Sequence, residues 1–504
     1  MLTLSLWHVL KAGIFDKLSG ILFYFSIIGF SALAITLYSQ DQLSVIEIFR
    51  DIIALAGVSM FFMFVKENKI ISVGALFALC SAMPMMYEYL LEQHQKPVPE
   101  TIGVFSDEIN LDASSELLVE LNPGFTITDI KTVIIDYELT ATQAFKPKDY
   151  TNTDLDDYVS IDIPTKYTDK IVDIIHKLES KRAVEYVEKN EIYQLSPIES
   201  TKQFISPTSG KLAVNDPLIN QKWEFGPLEL NQFYEYISAN KIKPKKKAKL
   251  FILDTGVDGE HEDLKGQFKA FDTNSSKDEI GHGTHCAGIA ASVSNNNIGI
   301  SSPVPSNKFV QVTGIKVLAG FGFGTQKMII TGMINAIDSG ADVISMSLGG
   351  KSTEQREKAY TEVVEYAKKH NVIVVTAAGN AAKDASQFCP ANSAGVIAVA
   401  AVDESLQRTS FSNTLQHIKF GLSAPGKDIL STFPKNEYKN FSGTSMAAPY
   451  VAGTIAVLRS INPELTVEQA FQLLHDTGQE TKQPYQTGNF IQPFKAIKQM
   501  IESN

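Results

Sequence analysis

The first part of the chain is apolar without interruption, whereas the rest alternates apolar and polar positions. Residues 18–38 (LSGILFYFSIIGFSALAITLY) run for 21 positions without a charge, enough for a helix to cross a hydrocarbon layer of about 30 Å. Residues 52–65 are also apolar but shorter, and reach a full span only by drawing on positions from about 45. Residues 70–87 follow the basic turn 66–69. Three such stretches in succession, with no small-residue cleavage site behind the first, predict membrane helices and not a removable signal. Lys11 and Lys17 precede the first stretch, Lys66 and Lys69 lie between the second and third, and the 39–51 loop is net acidic. Basic residues mark the cytoplasmic side, so everything after about residue 92 is expected on the extracytoplasmic face of the cell membrane. If the second stretch only lies on the surface, two spans remain and the rest of the chain faces the cytoplasm.

After a linker at 98–114 the period changes. Residues 117–121 predict a strand, 126–137 a helix, and 140–145 and 158–163 two strands. Residues 168–178 predict a helix with Ile171, Ile174, Ile175 and Leu178 on one face, and 184–187 a last strand. The order is βαββαβ, a ferredoxin-like α+β pattern. Polar residues 197–210 read as an exposed connector. Beyond them, apolar β-rich runs (250–257, 309–317, 343–347, 372–377) alternate with helical ones (325–339, 353–369), which predicts an α/β domain with a parallel sheet and helices on both faces. Three units result: a membrane anchor at 1–97, a small domain at 98–200 and a larger one at 201–504. A length of 504 residues fits that division.

The net charge of −11 and pI near 5.4 give no basic face for nucleic acid. The basic run 241–249 reads as a solvated loop, with a contact to anionic lipid as the alternative. Cys80, Cys286 and Cys389 make no disulfide framework and are expected as free thiols.

Candidate chemistry lies in three separated stretches of the large domain. Residues 441–458 (FSGTSMAAPYVAGTIAVL) set Ser445 on a tight turn at a helix start, where free N–H groups favour developing negative charge. Alone, the stretch is equally a buried small-residue helix. Residues 250–257 (LFILDTGV) end a strand at Asp254, and 281–289 (GHGTHCAGI) place His282 at another helix start. A serine nucleophile needs a base, and the base needs a buried carboxylate to fix its tautomer. The order Asp254, His282, Ser445 with these flanks resembles the subtilase, or subtilisin-like, serine proteases over about residues 214–500.

The resemblance implies a subtilisin-like fold and a serine endopeptidase acting on polypeptides through an acyl-enzyme, with no catalytic cofactor. Asn380 in TAAGN corresponds to the family's oxyanion donor, although beside Gly379 it also reads as a turn asparagine. Ser347, Leu348 and Gly349 resemble one edge of the substrate channel, and Gly322, Phe323 and Gly324 the other. Phe388 falls where the floor of the first specificity pocket is expected, and is equally a core phenylalanine. Residues 294–300 (SNNNIGI) resemble the family's calcium loop, which implies a structural calcium held by Asp216, Asp263, Ser294, Asn296, Ile298 and Ile300; a plain Asn-rich turn is the alternative. YVSIDIP and VEYVEKNEIYQL resemble the inhibitor-type propeptide of subtilases, whose tail lies in the active-site cleft and is cut by its own enzyme, here between about Tyr193 and Phe204. The small domain is otherwise an unrelated α+β unit. His285 has no catalytic role by the resemblance, and Cys286 reads as a small buried hydrophobe. Tyr450 stands where the family commonly has histidine, and only local repacking is expected there. The rival from another class is a silent peptide-binding scaffold that keeps its propeptide in place.

Overall fold

The computed structural model describes residues 115–190, 192–195, 198–200, 212–320, 322–352 and 354–503. The three apolar stretches and the 98–114 linker lie outside these residues. Among the described residues no helix is long and apolar enough to cross a membrane.

The small domain is a four-stranded sheet, β1 (Leu117–Leu121), β2 (Thr140–Gln143), β3 (Tyr158–Asp162) and β4 (Val184–Lys189), in the order β2-β3-β1-β4 with β3 and β4 antiparallel to β1. Helices α1 (Lys131–Asp136) and α2 (Ile171–Glu179) cover one face, and Ile130, Val133, Ile174 and Leu178 join Leu117, Val119 and Leu121 of β1 in one core. Both strands and helices fall where the alternating and 3.6-residue periods put them. Two short strands follow, β5 (Ile192–Gln194) and β6 (Ile198–Ser200). Their partners lie in the large domain, so 198–200, read as connector, is an added strand.

In the large domain the helix α3 (Leu230–Ala239) precedes the central strand β7 (Ala248–Asp254). The parallel sheet is completed by β8 (Phe268–Ala270), β9 (Val310–Lys316), β11 (Val343–Met346), β13 (Ile373–Ala377), β15 (Ile397–Val402), β16 (Gly421–Pro425) and β19 (Asn489–Phe490), in the order β19-β16-β15-β13-β11-β7-β9-β8. Between them come α4 (His282–Ala291), the edge strand β10 (Phe323–Thr325), α5 (Gln326–Asp338), β12 (Gly350–Lys351), α6 (Glu354–Lys369), β14 (Phe388–Cys389), the hairpin β17 (Ile429–Phe433) and β18 (Glu437–Ser442), and α7 (Thr444–Ile461). Three helical elements close the chain: α8 (Val467–Asp476), a four-residue turn, and α9 (Pro493–Glu502). From β7 the sheet grows first toward β9 and then, through β11, the other way. Such a reversal opens a crevice at the carboxyl ends of the strands, and Asp254 is the last residue of β7.

All 18 residues of α7 are buried. Its small side chains let it run close to α4: a Cβ on Gly453 would stand 2.2 Å from the Ala290 carbonyl oxygen.

The small domain docks on α5 and α6. Lys327 Nζ donates to Ser160 Oγ at 3.1 Å, and Gln326 Nε2 to Glu188 Oε1 at 3.1 Å. Lys358 of α6 pairs with Glu120 Oε2 at 3.0 Å and with Glu185. Tyr158 and Tyr186 share a hydrogen bond beside them, and Glu362 Oε2 is buried with no donor. Burial, then the charge of Glu120, pushes the Glu362 carboxyl up to about 8. A carboxyl raised on folding takes up its proton in the native state. The stability tied to it is therefore complete below roughly 4.5, the ordinary value, and is lost as pH rises through about 8. Melting the Ser445→Ala chain across that window is expected to show this loss, and Glu362→Gln to flatten it; equal slopes would refute the assignment.

Candidate active site

Every residue of β7 except Lys249 is buried, as a central strand flanked on both sides requires, and its end carries Asp254 into the crevice. The helix α4 opens at His282 directly after Gly281, whose φ of 90° makes the sharp entry turn. Gly283 allows the helix to seat against the chain after β7, where a Cβ would meet the Gly256 carbonyl oxygen at 2.0 Å. The two elements thus meet through a hydrogen bond of 2.8 Å from His282 Nδ1 to Asp254 Oδ1, and the same oxygen accepts from Thr255 N at 2.7 Å. A carboxylate only accepts, so Nδ1 carries a proton, and in the neutral ring Nε2 keeps the free lone pair. Both side chains are about fully buried, at 0 % and 1 % exposed. Burial disfavours charge on His282, but the Asp254 carboxylate outweighs it and holds the ring well above its ordinary 6.5. The pair therefore favours the imidazolium that proton uptake creates.

Ser445 is the second residue of α7, among N–H groups with no acceptor inside the helix. Its hydroxyl donates to the Ser347 carbonyl at 3.2 Å, while His282 Nε2 is buried with no partner. Both groups line one cleft of about 220 Å³. A hydroxyl bonded elsewhere and an imidazole nitrogen without a partner in one cleft can pair by rotation of the hydroxyl, and such bonds are often made only in the complex with substrate. Pro449 falls in the second turn of α7. Its missing N–H would have served the Ser445 carbonyl, which instead accepts from Ser347 Oγ at 2.7 Å and Cys286 Sγ at 3.4 Å.

Asn380 stands just past the end of β13, and its Oδ1 accepts from Thr444 N at 2.9 Å and Thr444 Oγ1 at 3.0 Å. Because Thr444 N can only donate, the amide is oriented, with Nδ2 as the outward group. Asn380 lines the cleft together with Ser445, so Nδ2 and the first-turn N–H of Ser445 form a donor pair for negative charge beside the hydroxyl.

Ser347, Leu348, Gly349 and Phe388 also line this cleft, as does Leu195 from the segment after the small domain. That segment runs antiparallel along the other edge. Gln194 is opposite Phe323, Tyr193 opposite Gly324, and Ile192 opposite Thr325, and Leu195 N donates to Gly322 O at 3.0 Å. Tyr193 is buried, with its hydroxyl 3.7 Å from Cys389 Sγ. Beyond the cleft, Ile198 is opposite Ser442 and Ser200 opposite Asn440, on the strand that leads into Ser445. One strand-like path thus approaches Ser445 from both sides.

Asp216 and Asp263 are buried close together. Asp216 accepts from Asn295 N at 2.8 Å, Asn296 N at 3.0 Å and Ser301 Oγ; Asp263 accepts from Asn296 Nδ2 at 2.9 Å and Ile300 N at 2.8 Å. Burial pushes the Asp263 carboxyl up to about 7. Two adjoining carboxylates with no cation among the described side chains fit a hard cation. The Ser294 hydroxyl faces elsewhere, bonded to Tyr234 and to the Val304 carbonyl, and the Ile300 carbonyl accepts from Ser292 Oγ at 3.2 Å. Ile298 contributes its N–H to Asn296 Oδ1 at 2.7 Å.

His285 is inert. Burial pushes it down to about 3, it bonds the Lys439 carbonyl at 2.9 Å, and its ring stacks on Phe441. Cys286 is fully buried, 3.9 Å from His282 Nδ1. At Tyr450 more than repacking has occurred. Its hydroxyl donates to Glu224 Oε1 at 2.5 Å and accepts from Lys222 Nζ at 3.1 Å, and Lys222 pairs with Glu224 at 2.5 Å, all without exposure. No local signal in the sequence marks this cluster, whose members meet across more than 200 positions.

A buried carboxylate–imidazole pair, a serine at a helix start and an oriented amide, at the reversal point of a parallel α/β sheet, define a serine hydrolase. Residues 245–492 match the subtilase family, peptidase S8. Thermitase from Thermoactinomyces vulgaris is 38% identical over 251 residues, 49% of this chain and 85% of thermitase; subtilisin DY from Bacillus licheniformis is 38% identical over 251 residues, 48% of this chain and 88% of that protein. The chain belongs to the subtilase family and is a subtilisin-like serine peptidase. Among solved structures, fervidolysin from Fervidobacterium pennivorans, a keratinolytic enzyme related to subtilisin, shares the fold with a TM-score of 0.61 at 23% identity, over 76% of this chain and 61% of fervidolysin.

Proposed function

We propose that this chain is a membrane-anchored endopeptidase made as a self-inhibited zymogen, with its catalytic domain on the extracytoplasmic side. In this reading Ser445 attacks a peptide carbonyl, His282 takes its proton and returns it to the leaving amine, and Asp254 holds the ring. Asn380 Nδ2 and Ser445 N–H carry the charge that builds on the carbonyl oxygen. The observation that carries the reading is the pairing of residues 192–195 with the Gly322–Gly324 edge and of 198–200 with β18, the position a substrate strand would take. Residues 98–200 then act as the inhibitor, and its tail is the first substrate.

In this reading the self-cleavage falls between Leu195 and Ile198, within the expected interval Tyr193 to Phe204, because the residues on either side pair as a substrate strand would. Sequencing the amino terminus of the processed enzyme tests this: a start at Ser196, Pro197 or Ile198 is expected, and a start before Tyr193 or after Phe204 would oppose it. Topology is read from whether external proteinase reaches a tag at Asn504 in intact cells; protection would reverse the orientation.

A structural calcium would be held by Asp216, Asp263 and Asn296, where it would neutralise the buried carboxylates and tie residues 294–300 to the domain. Chelation is expected to lower the melting temperature by several degrees, about 1–2 kcal/mol in a domain of this size. The Asp263→Asn chain should not respond, and an unchanged parental melting temperature would remove calcium from the reading.

A further inference from the structure

We propose that Asp278 is a positioning residue of the catalytic relay, setting the distance between Asp254 and His282. It lies four residues before His282 and is buried, yet it touches neither the serine nor the imidazole. Its carboxylate gathers five donors. Oδ1 accepts from Thr255 Oγ1 at 2.8 Å, Gly281 N at 2.8 Å and Ile280 N at 3.2 Å, and Oδ2 accepts from Thr284 N at 2.8 Å and Thr284 Oγ1 at 2.6 Å.

These donors come from both sides of the relay. Gly281 and Thr284 belong to the entry and first turn of α4, which carries His282. Thr255 follows Asp254 at the end of β7, and its N–H bonds the very oxygen that receives His282 Nδ1–H. The Thr255 hydroxyl also accepts from Gly283 N at 2.9 Å. One buried anion therefore clasps the strand end and the helix start together, and the 2.8 Å bond of the relay spans the gap it sets. A carboxylate is required because all five partners donate. An asparagine of the same shape would turn its NH₂ toward an N–H or hydroxyl donor and lose that half of the clasp.

The inference rests on the relay reading above. In the self-processed enzyme, Asp278→Asn is expected to lower kcat about 10- to 100-fold, the scale of sub-ångström misplacement of reacting groups, with KM within about twofold. Asp254 and Cys286 face the His282 ring. A loosened Asp254 bond supports the imidazolium less, so the acid limb of the kcat/KM profile should move to lower pH. Thr255→Val, which removes the bridging hydroxyl, should shift both readouts the same way, whereas Thr255→Ser should restore them. If Asp278→Asn does not fold, the two Thr255 variants decide. Parental kcat and acid limb in every folded variant, with only the melting temperature lowered, would reduce Asp278 to a structural cap and overturn the proposal. Asp254→Asn is run beside them: if it is inactive while the others are parental, only the Asp278 role falls, and if it is fully active, the relay itself falls.

Discussion

A Ser445→Ala chain is expected to stay at full length and to lose peptide hydrolysis by a factor on the order of 10⁶, the scale seen when the serine is removed from subtilisin. The size of the effect follows from what is lost. Without the hydroxyl there is no acyl-enzyme, and the Asp254–His282 pair has nothing to deprotonate. What remains is the residual acceleration from the oxyanion donors and from binding, about 10³–10⁴ over water. The fold should be spared, since the Ser445 hydroxyl makes one hydrogen bond, to the Ser347 carbonyl, in a helix otherwise held by small apolar contacts. Expressing both chains in membranes and assaying hydrolysis of a denatured protein decides the point. Parent and variant running at the same full length, with neither cleaving, would favour the silent scaffold.

The second large effect is expected at Asn380. Removing one oxyanion donor costs about 10²–10³ in kcat, and because that donor acts on charge absent from the bound substrate, KM should stay near the parental value. Asn380→Ala also frees Thr444 N and Oγ1 at the start of α7. Asn380→Asp separates the two roles. It keeps an acceptor for Thr444 but puts a second acceptor where the donor stood, so it should be at least as damaging to kcat while preserving the helix start. A rise in KM at constant kcat would instead mark Asn380 as a substrate-binding residue.

Much of this was legible in the sequence because the chemistry is written locally. A strand end at Asp254, a Gly turn into His282 and a Gly turn into Ser445 each need only a handful of adjacent residues. The small domain was legible too, from its apolar spacing. What could not be read were pairings across the chain. Nothing in residues 192–200 says that β5 adds to β10 and β6 to β18, because a strand's partner is set by the tertiary structure around it. The edge strands β8 and β19 are three and two residues long, too short for a period to show. The Lys222–Glu224–Tyr450 cluster was hidden because its charges cancel only in three dimensions. Asp278 carries no local signal, because its donors, spread over residues 255–284, converge on it only in the fold. In the loop 294–300, Asn296 bonds both Asp216 and Asp263, a convergence that the sequence spacing alone does not show.

Everything rests on one hydroxyl being made nucleophilic by one imidazole. A fluorophosphonate, which reacts with activated serines, puts that to the test on parent and His282→Ala chains, both cut in the 197–210 connector by an added protease, with the adduct located by peptide mass mapping. A single adduct on Ser445 is expected, with labelling slowed by orders of magnitude in His282→Ala. An adduct on a different residue, or labelling of His282→Ala at the parental rate, would contradict the relay.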